Sequence, residues 1–214
     1  MKFSCVMGSY NPKADWFERA LDSANDLFDE IVIVDDGSDA NLASMICPPM
    51  ISRIKIVRHK VNKGFWAARN TGIECAHGDI ICSLDDDDYF ERDAVVALKK
   101  FVRDNSDGDI FHFILRKFNQ AIGLHGQGTK VEHLKMENSI PSQSWFKKSV
   151  WSELGGYKKV KAEDWNFWVR CLDAGKKFKY FPEVVYNLNV RNDSLSRTWG
   201  ISADEVRREV LSNL

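Results

Sequence analysis

The sequence predicts one α/β domain built on a mainly parallel sheet with helices on both faces. Three observations carry that prediction. Short apolar runs alternate with helical patterns through the first half of the chain. Those runs are rich in β-branched residues, as strands covered on both faces are. Two of them, Ile31–Val34 and Ile80–Leu84, stop abruptly in aspartate.

Phe3–Met7 reads as the first buried strand. Asp15–Phe28 follows as a helix, with Trp16, Ala20, Leu21, Ala24, Leu27 and Phe28 at helical spacing. Glu30–Val34 is the second strand and Arg53–Arg58 alternates charged with aliphatic residues. Gly64–His77 reads as a helix, Asp79–Leu84 as another buried strand and Glu91–Arg103 as a helix with Val95, Val96, Leu98, Phe101 and Val102. The second half is less regular. Asp109–Phe118 is a strand, and the glycine-bearing segment Gln120–Lys130 is a hairpin or a mobile loop. Ser144–Leu154 and Glu163–Ala174 read as helices, and Lys177–Phe181 as a short strand closed by Pro182. A polar loop from Arg191 leads to a terminal helix. No linker separates residues 1–105 from 106–214, so these are expected to be two halves of one domain.

Composition narrows the function. With 44% hydrophobic and 12% aromatic residues among 214, the chain has the apolar surface for a sizeable core, which argues against disorder. Thirty basic against 31 acidic residues argue against nucleic acid as partner. No apolar run approaches the roughly 18 residues of a membrane span. The opening Met1–Gly8 lacks a cleavage pattern and reads as a strand. We therefore expect a cytoplasmic protein, with any membrane association peripheral, at the inner face. Cys5, Cys47, Cys75, Cys82 and Cys171 are odd in number and without metal-type spacing, so free thiols in a reducing compartment are expected.

The aspartates carry the chemistry. In an open α/β sheet, ligands collect outside the carboxyl ends of the strands. Asp35-Asp36-Gly37-Ser38 follows one such strand and Asp85-Asp86-Asp87-Asp88 another. The first alone is satisfied by an ordinary turn, and Asp88 alone could cap the helix from Glu91. Four adjacent carboxylates exceed capping, and hard divalent cations such as Mg²⁺ or Mn²⁺ relieve their repulsion.

Six segments in order then resemble glycosyltransferase family 2. They are Ser9-Tyr10-Asn11, Val34-Asp35-Asp36-Gly37-Ser38, Asn62-Lys63-Gly64 with Ala67, Ala68, Arg69, Asn70 and Gly72, and Gly78-Asp79 with Leu84-Asp85-Asp86-Asp87-Asp88. Gly155-Gly156-Tyr157 and Glu163-Asp164-Trp165 follow. The resemblance implies a GT-A fold: a Rossmann-like half over residues 1–105 binding a nucleotide-diphosphate sugar, UDP-linked by expectation, and an acceptor-binding half over 106–214. It implies that Asp36 receives a base N–H with Ser9 and Asn11 beside it, and that Arg69, Asp85 and Asp86 serve the donor. It assigns Asp87 to a Mn²⁺ or Mg²⁺ ion bridging the phosphates and Asp164 to the general base of an inverting single displacement. Glu163, Trp145 and Trp165 are implied on the acceptor side, and the acceptor is expected to be a saccharide or a lipid-linked one, in polysaccharide biosynthesis.

The family's late histidine is missing from Asn189–Arg197, which puts a metal ligand there in doubt; Arg191 and Arg197 could clamp phosphates instead. Other readings are a non-catalytic nucleotide-sugar-binding protein and a sugar nucleotidyltransferase, though Ser9-Tyr10-Asn11-Pro12 is not the latter's Gly-rich basic loop. A phosphotransfer receiver also pairs acids on such a sheet, but needs neither 214 residues nor four aspartates in a row.

Overall fold

The computed structural model describes residues 1–46, 53–192, 200 and 202–214. Cys47 and Arg197 lie outside the described residues, and the other four cysteines are free thiols.

The strands are β1 (Phe3–Ser9), β2 (Glu30–Asp35), β3 (Ile54–Arg58), β4 (Ile80–Ser83), β5 (Tyr89–Phe90), β6 (Ile110–Asn119), β7 (Gly123–His125), β8 (Trp145–Lys147) and β9 (Phe178–Val190). The helices are α1 (Ala14–Ala24), α2 (Phe65–Cys75), α3 (Arg92–Asp104), α4 (Lys148–Glu153), α5 (Glu163–Asp173) and α6 (Ala203–Ser212). The strands form one sheet in the order β3-β2-β1-β4-β8-β6-β9-β5, with β7 paired to β6. From β3 to β4 the pairs are parallel, as are β6 and β9, whereas β8 lies antiparallel to β4 and β6.

Alternation along β1 explains the two-sided core. Phe3, Cys5 and Met7 point into one cluster with Phe17 and Leu21 of α1 and Val95, Leu98 and Val102 of α3. Val6 points the other way, towards Ile73 of α2, Val150 of α4, Phe167 and Trp168 of α5, and Val206 and Val210 of α6. Period-2 side chains on a doubly covered strand are all apolar or small, which is why these strands read as continuous apolar runs.

Three expectations are corrected. Ser144–Leu154 is not a single helix, because Trp145 and Phe146 lie in β8 with their side chains in opposite core clusters. That is the strand period, imposed by pairing with Ile80, Ile81, Ile110 and Phe111 on either side. Pro182 does not close the last strand. β9 runs through it, and the register against β6 jumps from Phe181 opposite Phe113 to Val184 opposite Ile114, so the proline sits in a bulge where no ladder hydrogen bond is needed. The first helix stops at Ala24, while Leu27 and Phe28 remain buried in the turn that follows. The Gln120–Lys130 segment does form a hairpin, since β7 pairs antiparallel with β6.

Candidate donor and catalytic site

Adjacent parallel strands place their carboxyl ends side by side, so Ser9, Asp35 and Leu84 open onto the same edge of the sheet. The turn after β2 is closed by Ser38 N–H donating to Asp35 Oδ1 at 2.8 Å. Gly37 takes φ +82° there, and a Cβ would lie 2.7 Å from the Asn62 backbone nitrogen, so only glycine fits. Asn11, also left-handed at φ +48°, donates its N–H to Ser38 Oγ at 2.9 Å, and its side chain exchanges hydrogen bonds with Asp39. The first two motifs are thus one hydrogen-bonded unit, with the half-exposed Tyr10 beside them.

Asp36 also holds the protein's own backbone. Its carboxylate is 3% exposed and accepts from Lys63 N–H at 3.0 Å and Gly64 N–H at 2.8 Å. His59 Nδ1 lies 2.6 Å from the same group. These contacts make Asp36 an anchor for residues 59–64, and a carboxylate's remaining lone-pair capacity is compatible with accepting a base N–H as well.

The four-aspartate run divides its labour. Asp88 is fully buried and accepts from Asn189 N–H at 2.7 Å, while the Tyr186 hydroxyl accepts from Asp85 N–H at 2.9 Å. Two β9 residues therefore fix the run, and Asp88 makes no cap for α3, whose N-cap residue is Glu91. Asp86 accepts from Ser9 Oγ at 2.6 Å, yet burial pushes its pKa up to about 7, with Asp87 and Asp85 adding to the rise. Asp87 is pushed up to about 6 by burial and then Asp85, against the opposing pull of Arg191, whose Nε lies 3.1 Å from Asp87 Oδ2. Crowded, partly dehydrated carboxylate oxygens are the donor set a hard divalent cation selects. No group of three acidic, histidine or cysteine side chains converges among the described residues. One or two carboxylates of the run, with oxygens of ligand or water completing the shell, are a set that Mg²⁺ accepts.

Arg69 ties this run to the second half. It is 3% exposed, with Nη2 3.4 Å from Asp85 Oδ1 and Nη1 3.2 Å from Glu163 Oε1, and its guanidinium lies 4.1 Å from the Phe65 ring centroid. Burial draws its pKa down, but Asp85 and then Glu163 more than reverse this, so it stays charged. Burial in turn pushes Glu163 up to about 7, Arg69 opposing and Asp164 adding. Next to Glu163, Asp164 is 9% exposed and accepts from Asn138 Nδ2 at 3.4 Å. The residue preceding this pair, Ala162, is held left-handed at φ +46°. A non-glycine there costs energy and persists because the surroundings impose it.

Neither candidate acceptor tryptophan is available to a sugar. Trp145 is fully buried, packed edge-on against Phe3 and Phe28 at 5.8 and 5.9 Å between centroids. Trp165 is 6% exposed in the opposite cluster and donates Nε1–H to the Leu134 carbonyl at 2.5 Å. Both serve the core, since a stacking platform needs an open ring face. The Gly155-Gly156-Tyr157 segment is likewise architectural. Asn70 Oδ1 accepts from Tyr157 N–H and Trp151 Nε1–H, both at 2.9 Å, and a Cβ on Gly156 would lie 2.8 Å from that oxygen.

Sequence reasoning missed Gln143 and Asn138. Gln143 is 2% exposed and donates Nε2–H to Asp85 Oδ2 at 2.9 Å, and Asn138 holds Asp164. Neither sits in a motif; the signal in the sequence is polar residues inside Asn138–Trp145, where Ile140 and Trp145 are buried.

Solved structures show the fold. Residues 1–349 of Staphylococcus aureus TarS, solved with UDP-GlcNAc, superimpose with a TM-score of 0.79, covering 99% of this chain and 64% of that one at 17% identity. Its complex with UDP gives 0.74. The fold is that of a GT-A glycosyltransferase. Sequence then narrows it: the profile of Glycosyl transferase family 2 matches residues 4–170, and the chain belongs to that family. A glycosyltransferase of Methanocaldococcus jannaschii is 26% identical over 91% of this chain and 73% of its own length. The chondroitin synthase of Pasteurella multocida is 27% identical over 90% of this chain but only 21% of its own. The chain thus spans about a fifth of that synthase and just under two thirds of the TarS fragment. Among the described residues no helix is long and apolar enough to cross a membrane.

Proposed function

We propose that the protein moves a sugar from a nucleotide-diphosphate sugar, with UDP as the nucleotide, to an acceptor hydroxyl by a single inverting displacement. The acceptor oxygen bonds to the anomeric carbon, the bond to the nucleotide diphosphate breaks with its electron pair leaving on the diphosphate, and the acceptor's proton passes to Asp164. In-line attack requires base and leaving group on opposite sides of the sugar. The observation that carries this reading is Arg69, which grips Asp85 of the acidic run and Glu163 beside Asp164 in one buried cluster.

Asp85 and Asp86 serve the ribose and sugar, with Ser9 and Asn11 shaping the nucleotide side. Asp87 is the residue that would hold a Mn²⁺ or Mg²⁺ ion; such an ion supplies Lewis-acid neutralisation of the departing diphosphate. On donor entry Arg191 exchanges its pairing with Asp87 for phosphate oxygens, which suits its charge-assisted donors. That TarS was solved with UDP-GlcNAc supports a UDP-sugar donor here. Isothermal titration with UDP, GDP, CDP and dTDP, each with and without Mn²⁺, tests the reading. We expect micromolar UDP binding that needs the metal; no binding of any nucleoside diphosphate would overturn it.

A further inference from the structure

His59, the residue after β3, is 6% exposed, and its backbone N–H donates to the Asp35 carbonyl at 2.8 Å. Its ring lies between two partners. Nδ1 is 2.6 Å from Asp36 Oδ1, and Nε2 is 3.0 Å from Thr71 Oγ1 on α2. An ionised carboxylate only accepts, so Nδ1 carries the proton, and in the neutral ring Nε2 accepts from the Thr71 hydroxyl. Thr71 thereby fixes both the tautomer and the orientation of the imidazole. The helix that sends Arg69 to the acidic run thus reaches Asp36 too, through His59.

The capacity of the Asp36 carboxylate decides what more it can hold. A carboxylate has about four lone-pair sites, two on each oxygen. His59 Nδ1–H and Lys63 N–H fill both sites of Oδ1. Among the described residues, Oδ2 accepts from Gly64 N–H alone. One site is therefore left, and it is on Oδ2. A base edge with a single N–H, such as N3 of uracil, matches it. Guanine presents two adjacent donors, N1–H and the amino group, and needs a free acceptor on each oxygen. Cytosine has a lone pair at N3 in place of the hydrogen. Without His59, Oδ1 would have a site to spare, and the carboxylate would lose one of the three contacts that fix its plane.

We propose that His59, held by Thr71, is a positioning residue that sets base specificity. It occupies Asp36 Oδ1 and leaves the single acceptor on Oδ2 for the N3–H of a uracil base. The proposal rests on the sugar-transfer reading with UDP as nucleotide and adds the pair of side chains that confines the donor site to one base.

Calorimetry of UDP and N3-methyl-UDP in Mn²⁺ tests it on the full chain, in wild type, His59→Leu and His59→Asn. Leucine fills the space without a donor, and asparagine returns an N–H to Asp36. Wild type should bind UDP at least about tenfold tighter than N3-methyl-UDP, as loss of a hydrogen bond to a charged group implies. In His59→Leu, UDP should weaken by about tenfold and that preference should shrink at least threefold, because the two changes strike the same contact. His59→Asn should recover most of both. Should His59→Leu not fold, Thr71→Val, which leaves the imidazole without its second partner, should shrink the preference in the same direction. A histidine that only braces the fold would weaken both ligands alike, and a preference left intact in a folded variant would overturn the proposal. So would wild-type protein that binds UDP and N3-methyl-UDP equally. Wild-type protein that binds no nucleoside diphosphate would instead remove the sugar-transfer reading, and the proposal with it.

Discussion

Arg69 and Glu163 form a buried ion pair 3.2 Å long although 94 residues of chain separate them. The pair joins α2 of the first half to the first turn of α5, and the second fork of Arg69 reaches Asp85. Removing one member of a buried pair leaves an uncompensated charge, at about 3–5 kcal/mol. Arg69→Ala should lower unfolding free energy by that order in urea titrations. Arg69→Lys should recover only part of it, because a lysine lacks the planar fork that spans two carboxylates. Equal stability of wild type and Arg69→Ala would refute the argument.

Asp164→Asn removes the proposed proton acceptor while keeping the volume and the contact with Asn138. Loss of a positioned base costs roughly 10²–10⁴-fold. We expect turnover of UDP-sugar with acceptor to fall by that factor at unchanged UDP affinity, measured by nucleotide release and calorimetry on the same preparation. Near-native turnover would remove Asp164 from the role.

Asp87→Asn should abolish the Mn²⁺ dependence of UDP binding, leaving a weak affinity that is the same with and without metal. Calorimetry in chelator and in millimolar Mn²⁺ separates the cases. A preserved metal dependence would move the ion to another carboxylate.

His112 predicts how stability depends on pH. It is 2% exposed on β6, stacked on Tyr180 at 5.1 Å, and burial holds its pKa down at about 4. A depressed folded value means the unfolded chain binds the proton first, near pH 6.5. Stability is then full above about pH 6.5 and is lost as pH falls towards 4, by at most about 3 kcal/mol. His112→Phe should flatten that slope in denaturation curves taken from pH 7 to 4; an identical slope in the variant would exclude this histidine as its source.

Trp145→Ala should cost about 3–5 kcal/mol through the cavity it opens between Phe3 and Phe28. Because the ring lies in the core, acceptor KM should stay within about twofold of wild type at a temperature where the variant is folded. A selective rise in acceptor KM would restore the tryptophan to the acceptor side.

The parallel half was legible because its strands are continuous apolar runs ending in acid, and its motifs are local turns such as Asp35–Ser38. What misled was β8, where Trp145 and Phe146 precede a helical pattern and only pairing with β4 and β6 makes them strand. Pro182 misled in the same way, since a bulge against β6 is a property of two strands together. That Lys63 and Gly64 fold back onto Asp36 is likewise a fact no local pattern reveals.

The order of strands and helices in the parallel half, the aspartates at the strand ends and the family were set by the sequence itself, because apolar periodicity and short turn motifs depend on neighbours along the chain. Which partners hold each acid, and what Arg69 joins, were decided only in three dimensions. Those outcomes depend on burial and on hydrogen-bond partners tens of residues away, such as Asn189 for Asp88 and Asn138 for Asp164, which no local pattern encodes.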